Sequence, residues 1–176
     1  MPRLFTGLKI PRDLATSLSF LRGGIAGARW IEPEDYHITL SFIGDVDEEA
    51  AQKIVMALET IQASEFTLKV SGFDSFGSKK PRALFASIEA NEALTNLQRS
   101  HDTTLRNAGL AIDARKYVPH ITVARTSQAK REDIAGFLSS NVGYISPPFK
   151  ISEFVLFSAK GTIGGGPYVA EETYGF

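Results

Sequence analysis

The chain has no cysteine, which excludes disulfides, thiolate metal sites and a cysteine nucleophile. Histidine is also scarce, with three in 176 residues. No run approaches the roughly 18–20 apolar residues of a membrane span. The opening Met1-Pro2-Arg3 carries no apolar signal-peptide core, so a cytoplasmic protein with no membrane partner is expected. Charge of one sign is lacking too: 19 basic and 20 acidic residues leave a net charge of −1. Bulk electrostatics therefore draw no polyanion, and any bound nucleic acid must be held by local basic residues at few phosphates. What is present is a 43% hydrophobic composition with twelve phenylalanines. That is enough apolar area for residues 1–176 to bury a core without covalent staples, as one domain or as two small lobes that share a core.

Hydrophobic periodicity orders the chain. Arg3–Ile10 reads as a strand, and Pro11 opens a helix to about Leu21 with Leu14, Leu18 and Leu21 at helical spacing. Gly23, Gly24 and Gly27 mark a loop before a strand over Tyr36–Ile43. Asp47 is the expected N-cap of a helix from Glu48 to about Ile61. Phe66–Phe73 and Arg82–Glu89 read as strands joined by a hairpin-like Gly77–Pro81 connection. Asn91 caps a helix through Leu94, Leu97, His101 and Leu105, ending near Gly109. Val118–Arg125 is a strand, Arg131–Leu138 a helix, Phe149–Phe157 a strand, and Pro167–Thr173 the last strand. The hairpin demands antiparallel pairing, so the order favours an α+β fold over a doubly wound parallel sheet.

Two of the three histidines sit in one repeated context: His37-Ile38-Thr39-Leu40 and His120-Ile121-Thr122-Val123. Side chains two apart on a strand share a face, so each His and Thr project together while the aliphatic residues face the core. Two such strands side by side line one cleft with two imidazoles and two hydroxyls. One neutral ring takes a proton from water, one charged ring gives a proton to a leaving oxygen, and the hydroxyls hold a phosphate. A phosphodiester that needs no metal suits this set, and a strained ribose 2′,3′-cyclic phosphate fits it well. The remaining histidine, His101, lies beside Asp102 in a helical pattern and reads as a surface residue. Metal binding by His37 and His120 is a second use, weakened because only Asp35 stands near as a third ligand. The glycine-rich Gly161–Gly166 stretch lacks a Gly-Lys-Ser/Thr signature and a following helix, so it reads as a turn and not a P-loop.

With these motifs the chain resembles the 2H phosphoesterase superfamily. More narrowly it is similar to the RNA 2′,3′-cyclic phosphodiesterases, historically named 2′-5′ RNA ligases. The resemblance rests on the block from Arg29 through His37 to Gly44, on Pro119–Arg125, on Pro81–Ala86 and on the opening strand with Pro11. Gly166-Pro167-Tyr168 also has a family counterpart. The resemblance implies two pseudo-symmetric lobes of antiparallel sheet with flanking helices around a central cleft. It implies His37 as proton donor to the ribose 3′-oxygen, His120 as the base that activates water, and a 2′-phosphate product. Reversed with a 5′-hydroxyl, the same chemistry is 2′-5′ ligation. Thr39 and Thr122 would hold the phosphate, and Phe42 and Arg125, each five residues past a histidine, would border the site.

That last implication conflicts with regular strand geometry. Position +5 has the opposite parity to the histidine, so a bulge or strand end is needed to turn Phe42 and Arg125 into the cleft. Phe42 is equally a core residue or a stacking platform, and Arg125 suits phosphate. Arg82 and Tyr168 are candidate RNA contacts; Lys79, Lys80, Arg115 and Lys116 are basic residues that either hold RNA backbone or face solvent. No cofactor and no obligate protein partner is expected, and a monomer is the default. Two other uses of the same cleft remain: a non-catalytic binder of RNA ends or phosphorylated nucleotides, and an enzyme for another phosphodiester such as a 2′-5′ oligonucleotide.

Overall fold

The computed structural model describes residues 1–159 and 166–176. The Gly161–Gly166 turn therefore lies, except for Gly166, outside the described residues. The elements in chain order are β1 (Arg3–Lys9), α1 (Arg12–Ser19), β2 (Arg29–Trp30), a 3₁₀ turn (Pro33–Asp35), β3 (His37–Asp45) and α2 (Glu48–Leu58). Then come β4 (Phe66–Leu68), β5 (Val70–Phe76), β6 (Ala83–Ile88), α3 (Glu92–Asn107), β7 (His120–Arg125), α4 (Arg131–Ser140), β8 (Phe149–Ile151), β9 (Glu153–Ala159) and β10 (Tyr168–Gly175). Every pairing between them is antiparallel, as the α+β reading requires.

The main sheet runs β10-β9-β1-β3-β7-β6-β5, with β2 on the flank of β7. The two motif strands, β3 and β7, meet at its centre. On one side of this centre, β1 of the first sequence half is flanked by β9 of the second; on the other, β6, at the middle of the chain, links β7 of the second half to β5 of the first. Each lobe is thus completed by a strand lent by the opposite half. A two-stranded sheet of β4 and β8 joins the halves again.

Two strands expected to be continuous are broken. Phe66–Phe73 divides at Lys69 into β4 and β5, and Phe149–Phe157 divides at Ser152 into β8 and β9, each piece entering a different sheet. The alternation survives the first break, since Leu68 and Val70 are both buried, so no local signal marks the switch. The short strand β2 was not foreseen; two residues carry too little periodicity to be seen.

Both expected helix caps are present. The Asp47 carboxylate accepts from the Ala50 amide at 2.8 Å and the Asn91 side chain from the Leu94 amide at 2.9 Å, each worth about 1 kcal/mol. The helices lay their apolar stripes on one face of the sheet. Leu14 and Leu18, Ile54 and Leu58, Leu94 and Leu105, and Ile134 join Leu4, Ile38, Leu84 and Ile121 in one core cluster.

The structure corrects the reading of His101. It is fully buried, in line with Leu94, Leu97 and Leu105, and its ring meets Phe154 edge-on at 4.4 Å. Neither ring nitrogen has a hydrogen-bond partner among the described residues, and burial lowers its pKa to about 3. Asp102 beside it accepts from the buried Ser41 hydroxyl at 2.5 Å. Among the described residues no helix is long and apolar enough to cross a membrane.

Candidate active site

Strand alternation puts Ile38, Leu40, Ile121 and Val123 into the core and leaves His37, Thr39, His120 and Thr122 on the opposite face. There they line one cleft of about 440 Å³ together with Phe42, Arg82, Arg125 and Tyr168. All eight residues singled out in the sequence therefore come together. Lys79, Lys80, Arg115 and Lys116 do not line it, and the Arg115 guanidinium is paired with Asp113 at 2.5 Å. A larger groove of about 1050 Å³, bordered by α2 residues such as Val55 and Met56 and by Glu171 and Glu172, contains neither His-Thr pair.

The +5 residues enter the cleft because both motif strands are bulged. On β3, Thr39 pairs with Gly7 and Ser41 with Thr6, so Leu40 is an extra residue. On β7, Thr122 pairs with Phe85 and Ala124 with Leu84, so Val123 is extra. The extra residue reverses the parity of everything after it. Leu40 and Ser41 are both buried, as are Val123 and Ala124, and Phe42 and Arg125 emerge beside the histidines. Arg125 brings a buried Nε that has no hydrogen-bond partner among the described residues. Phe42 is 57% exposed, an unusual state for a phenylalanine with a core available, and it presents a face for stacking.

Both histidines are held by one device. The Nδ1–H of His37 donates to the Asp35 carbonyl at 2.8 Å, and that of His120 to the Val118 carbonyl at 2.6 Å. Each acceptor is the backbone two residues earlier. A carbonyl only accepts, so Nδ1 carries a proton in both rings and Nε2 is the nitrogen whose protonation changes. The Nε2 of His37 lies 3.1 Å from the Thr39 hydroxyl. The Asp35 carboxylate is turned to the Tyr168 amide at 3.1 Å, which competes with a role as metal ligand. Among the described residues no group of three histidines and carboxylates is close enough to hold a metal ion.

Aromatic walls enclose the rings. Phe5 (5.0 Å), Phe157 (5.7 Å) and Tyr168 (5.0 Å, edge-on) surround His37; Phe76 (4.8 Å, edge-on) and Phe85 (5.0 Å) flank His120. Both rings keep some solvent contact. Burial nevertheless pushes the His37 pKa down to about 4 against the Asp35 hydrogen bond, with the charges of His120 and Arg125 lowering it further. His120 is lowered as well, first by burial and then by Arg125, against its bond to Val118. Phe5, Phe76, Ile31 and Arg3 also line the cleft and were not singled out in the sequence. Nothing in an isolated apolar alternation shows which phenylalanine faces a cleft and which a core.

A family model described as LigT-like phosphoesterase matches the chain twice, over residues 8–85 and 86–166. The chain belongs to this family. The double match follows the two sequence halves, each of which carries one His-Thr pair. An RNA 2′,3′-cyclic phosphodiesterase of Bacillus subtilis (strain 168) is 34% identical over 131 residues, 70% of this chain and 71% of that protein. Another of the same name, from Aquifex aeolicus (strain VF5), is 29% identical over 154 residues, 83% of this chain and 81% of its own. The crystal structure of E. coli LigT complexed with 3′-AMP superposes with a TM-score of 0.77 at 20% identity, covering 99% of this chain and 98% of that one, a likeness that speaks to fold.

Proposed function

We propose that this chain hydrolyses the 2′,3′-cyclic phosphate ends of RNA or small nucleotides to 2′-phosphates without a metal ion. The observation that carries this reading is the pair of histidines, each with Nδ1 tied to a backbone carbonyl, whose Nε2 atoms serve one cleft containing Arg125. One Nε2 takes a proton from water as the water oxygen bonds to phosphorus. The P–O3′ bond breaks, and the other Nε2–H gives its proton to O3′. Thr39, Thr122 and the Arg125 guanidinium hold the non-bridging oxygens, where charge gathers in the transition state. Phe42, Arg82 and Tyr168 contact the nucleotide. With a 5′-hydroxyl as the incoming group to the cyclic end, the same steps produce a 2′-5′ linkage.

The roles of His37 as donor and His120 as acceptor follow the family resemblance. Local burial opposes them, because the more enclosed His37 holds a proton less well. A bound phosphate anion offsets the burial by favouring the charged ring. Variant pH profiles separate the two assignments. If His37 is the acid, the residual rate of His37→Ala rises with pH while that of His120→Ala falls; the reverse assignment exchanges these slopes.

The unit of function is residues 1–176 as one bilobal domain, since β9 completes the lobe of β1 and β5 that of β6. The reading is tested with an oligoribonucleotide ending in a 2′,3′-cyclic phosphate, in excess EDTA, comparing wild type with folded His37→Ala and His120→Ala. Conversion to the 2′-phosphate, lowered about 10²–10⁴-fold in each variant, is expected. Binding of that end with no turnover by the wild type would replace the reading with a non-catalytic one.

A further inference from the structure

The strands that carry the two histidines are barely joined. Ile38 opposite Ile121 is the one position at which β3 and β7 pair. Beyond it β7 is flanked by β2, through Trp30 opposite Ala124 and Arg29 opposite Arg125. A ladder this short leaves the spacing and tilt of two catalytic rings to other contacts. Among the described residues one side-chain hydrogen bond spans the gap. The Tyr117 hydroxyl donates to the Thr39 carbonyl at 2.7 Å, joining residues 78 apart in sequence.

Both ends of this bond belong to a histidine's support. Thr39 is the residue whose own hydroxyl meets His37 Nε2. Tyr117 immediately precedes Val118, whose carbonyl holds His120 Nδ1. Val118 has little packing to fix it, since it is 42% exposed and the chain from 110 to 119 forms no helix or strand. Its carbonyl is aimed by its neighbours: Pro119, whose carbonyl accepts from Ile88 of β6, and Tyr117, anchored on β3. Burial, with the charge of Asp102 adding to it, raises the Tyr117 pKa, so the phenol stays a donor throughout the working range.

We infer that Tyr117 is a positioning residue, its hydroxyl latching the His37 strand to the segment that orients His120 and so setting the two rings on one phosphate. The inference rests on the two-histidine chemistry proposed above for its kinetic consequence, though not for its structural one. Without the hydroxyl, Val118 swings, the Nδ1–H bond of His120 is lost for part of the time, and the ring samples the tautomer with the proton on Nε2. That tautomer has no lone pair facing the cleft and cannot accept a proton from water.

Ser41→Ala provides the control. Ser41 lies two residues beyond Thr39 on the same strand, and its hydroxyl donates to Asp102 on α3 with no hydrogen bond to the second motif; Asp102 keeps its charge and its bond from Gln98 in the variant. Tyr117→Phe is expected to lower kcat about tenfold with KM little changed, a fraction of the ~10² that a 1 Å misplacement costs. Ser41→Ala, with an equal or larger loss of thermal stability, is expected to keep kcat within about twofold of wild type. Independently of any substrate, ¹⁵N histidine spectra of the full chain should show His120 as the Nδ1–H tautomer in the wild type and as a mixture in Tyr117→Phe. The charged groups facing that ring, His37 and Arg125, are unchanged by either substitution. An unaltered tautomer in Tyr117→Phe, or kcat losses that merely track stability in both variants, would overturn the latch. If the wild type turned over no cyclic phosphate, the functional reading would fail while the spectra still decided the latch.

Discussion

The two halves of the cleft share a mechanism for holding a histidine and differ in nearly everything around it. Each motif strand ties Nδ1 to the carbonyl two residues back, and each is bulged one residue after its threonine. The registers then expose an exchange of large and small side chains. Opposite Thr39 stands Gly7, and opposite Thr122 stands Phe85. Opposite Phe42 stands Phe5, and opposite Arg125 stands Ala83. The first half is therefore an aromatic wall that closes over His37, with Tyr168 as its lid. The second is more open and carries the guanidinium. Duplicated backbone geometry keeps the rings interchangeable by type, and the side chains at four register positions make them unequal. The small residue at Gly7 is itself a requirement of that wall: a Cβ there would lie 2.8 Å from the Ile38 carbonyl oxygen and 3.6 Å from His37 Cδ2.

The inequality can be broken from either side. Removing the cation has the larger expected effect. Arg125→Ala should lower kcat/KM on the order of 10²-fold, mostly in kcat, because in the proposed mechanism the lost donor serves developing charge on the phosphate. Removing the stacking face should be milder and of a different kind: Phe42→Ala should raise KM about tenfold with kcat nearly kept, in line with ~1–3 kcal/mol per stacked base. Steady-state kinetics on a dinucleotide cyclic phosphate distinguishes them. Equal effects of both substitutions on KM alone would mean that the halves are not specialised as described.

The pH dependence sharpens the comparison further. Both histidines hold protons less well than free imidazole, His37 with a pKa of about 4. In the proposed mechanism the working form has one proton on the pair, so the alkaline limb of kcat/KM, which reports the free enzyme, should fall below pH 6.5. In the complex the phosphate charge raises both, so the kcat profile should sit at higher pH than that of kcat/KM. Coincident profiles would mean that the ligand charge does not reach the rings.

A smaller effect lies outside the cleft. His101, with a folded-state pKa of about 3 against an ordinary 6.5, binds its proton first in the unfolded chain. The stability it permits is complete above pH 6.5 and is lost progressively as pH falls toward 3. His37, lowered to about 4, shares part of this slope. Denaturant titrations between pH 7 and 4 should show a shallower acid loss in His101→Phe than in wild type.

Much of this was legible in the sequence. The motif strands, all four helices, both capping side chains and the hairpin between β5 and β6 are local signals, and they survive because local and tertiary preferences agree. The cleft residues were legible through a repeated motif and a family resemblance, and the parity conflict at Phe42 and Arg125 already called for the bulges that are found. What stayed hidden depends on partners distant in sequence. The breaks at Lys69 and Ser152 arise because short strands are recruited to a second sheet, for which no residue in either segment gives a sign. The orienting carbonyls of Asp35 and Val118 belong to the backbone and have no residue signature. His101 is a different case: its spacing with Leu94, Leu97 and Leu105 placed it on the buried stripe, and the neighbouring Asp102 obscured that signal.

The central claim is that His37 and His120 act together on one phosphate. The most direct test measures turnover of a 2′,3′-cyclic phosphate by His37→Ala, His120→Ala and the double variant, each shown to be folded. Partners in one step are not additive, so the double variant should be about as slow as the worse single one. Losses that multiply in the double variant, or single variants that each keep about half the activity, would contradict it.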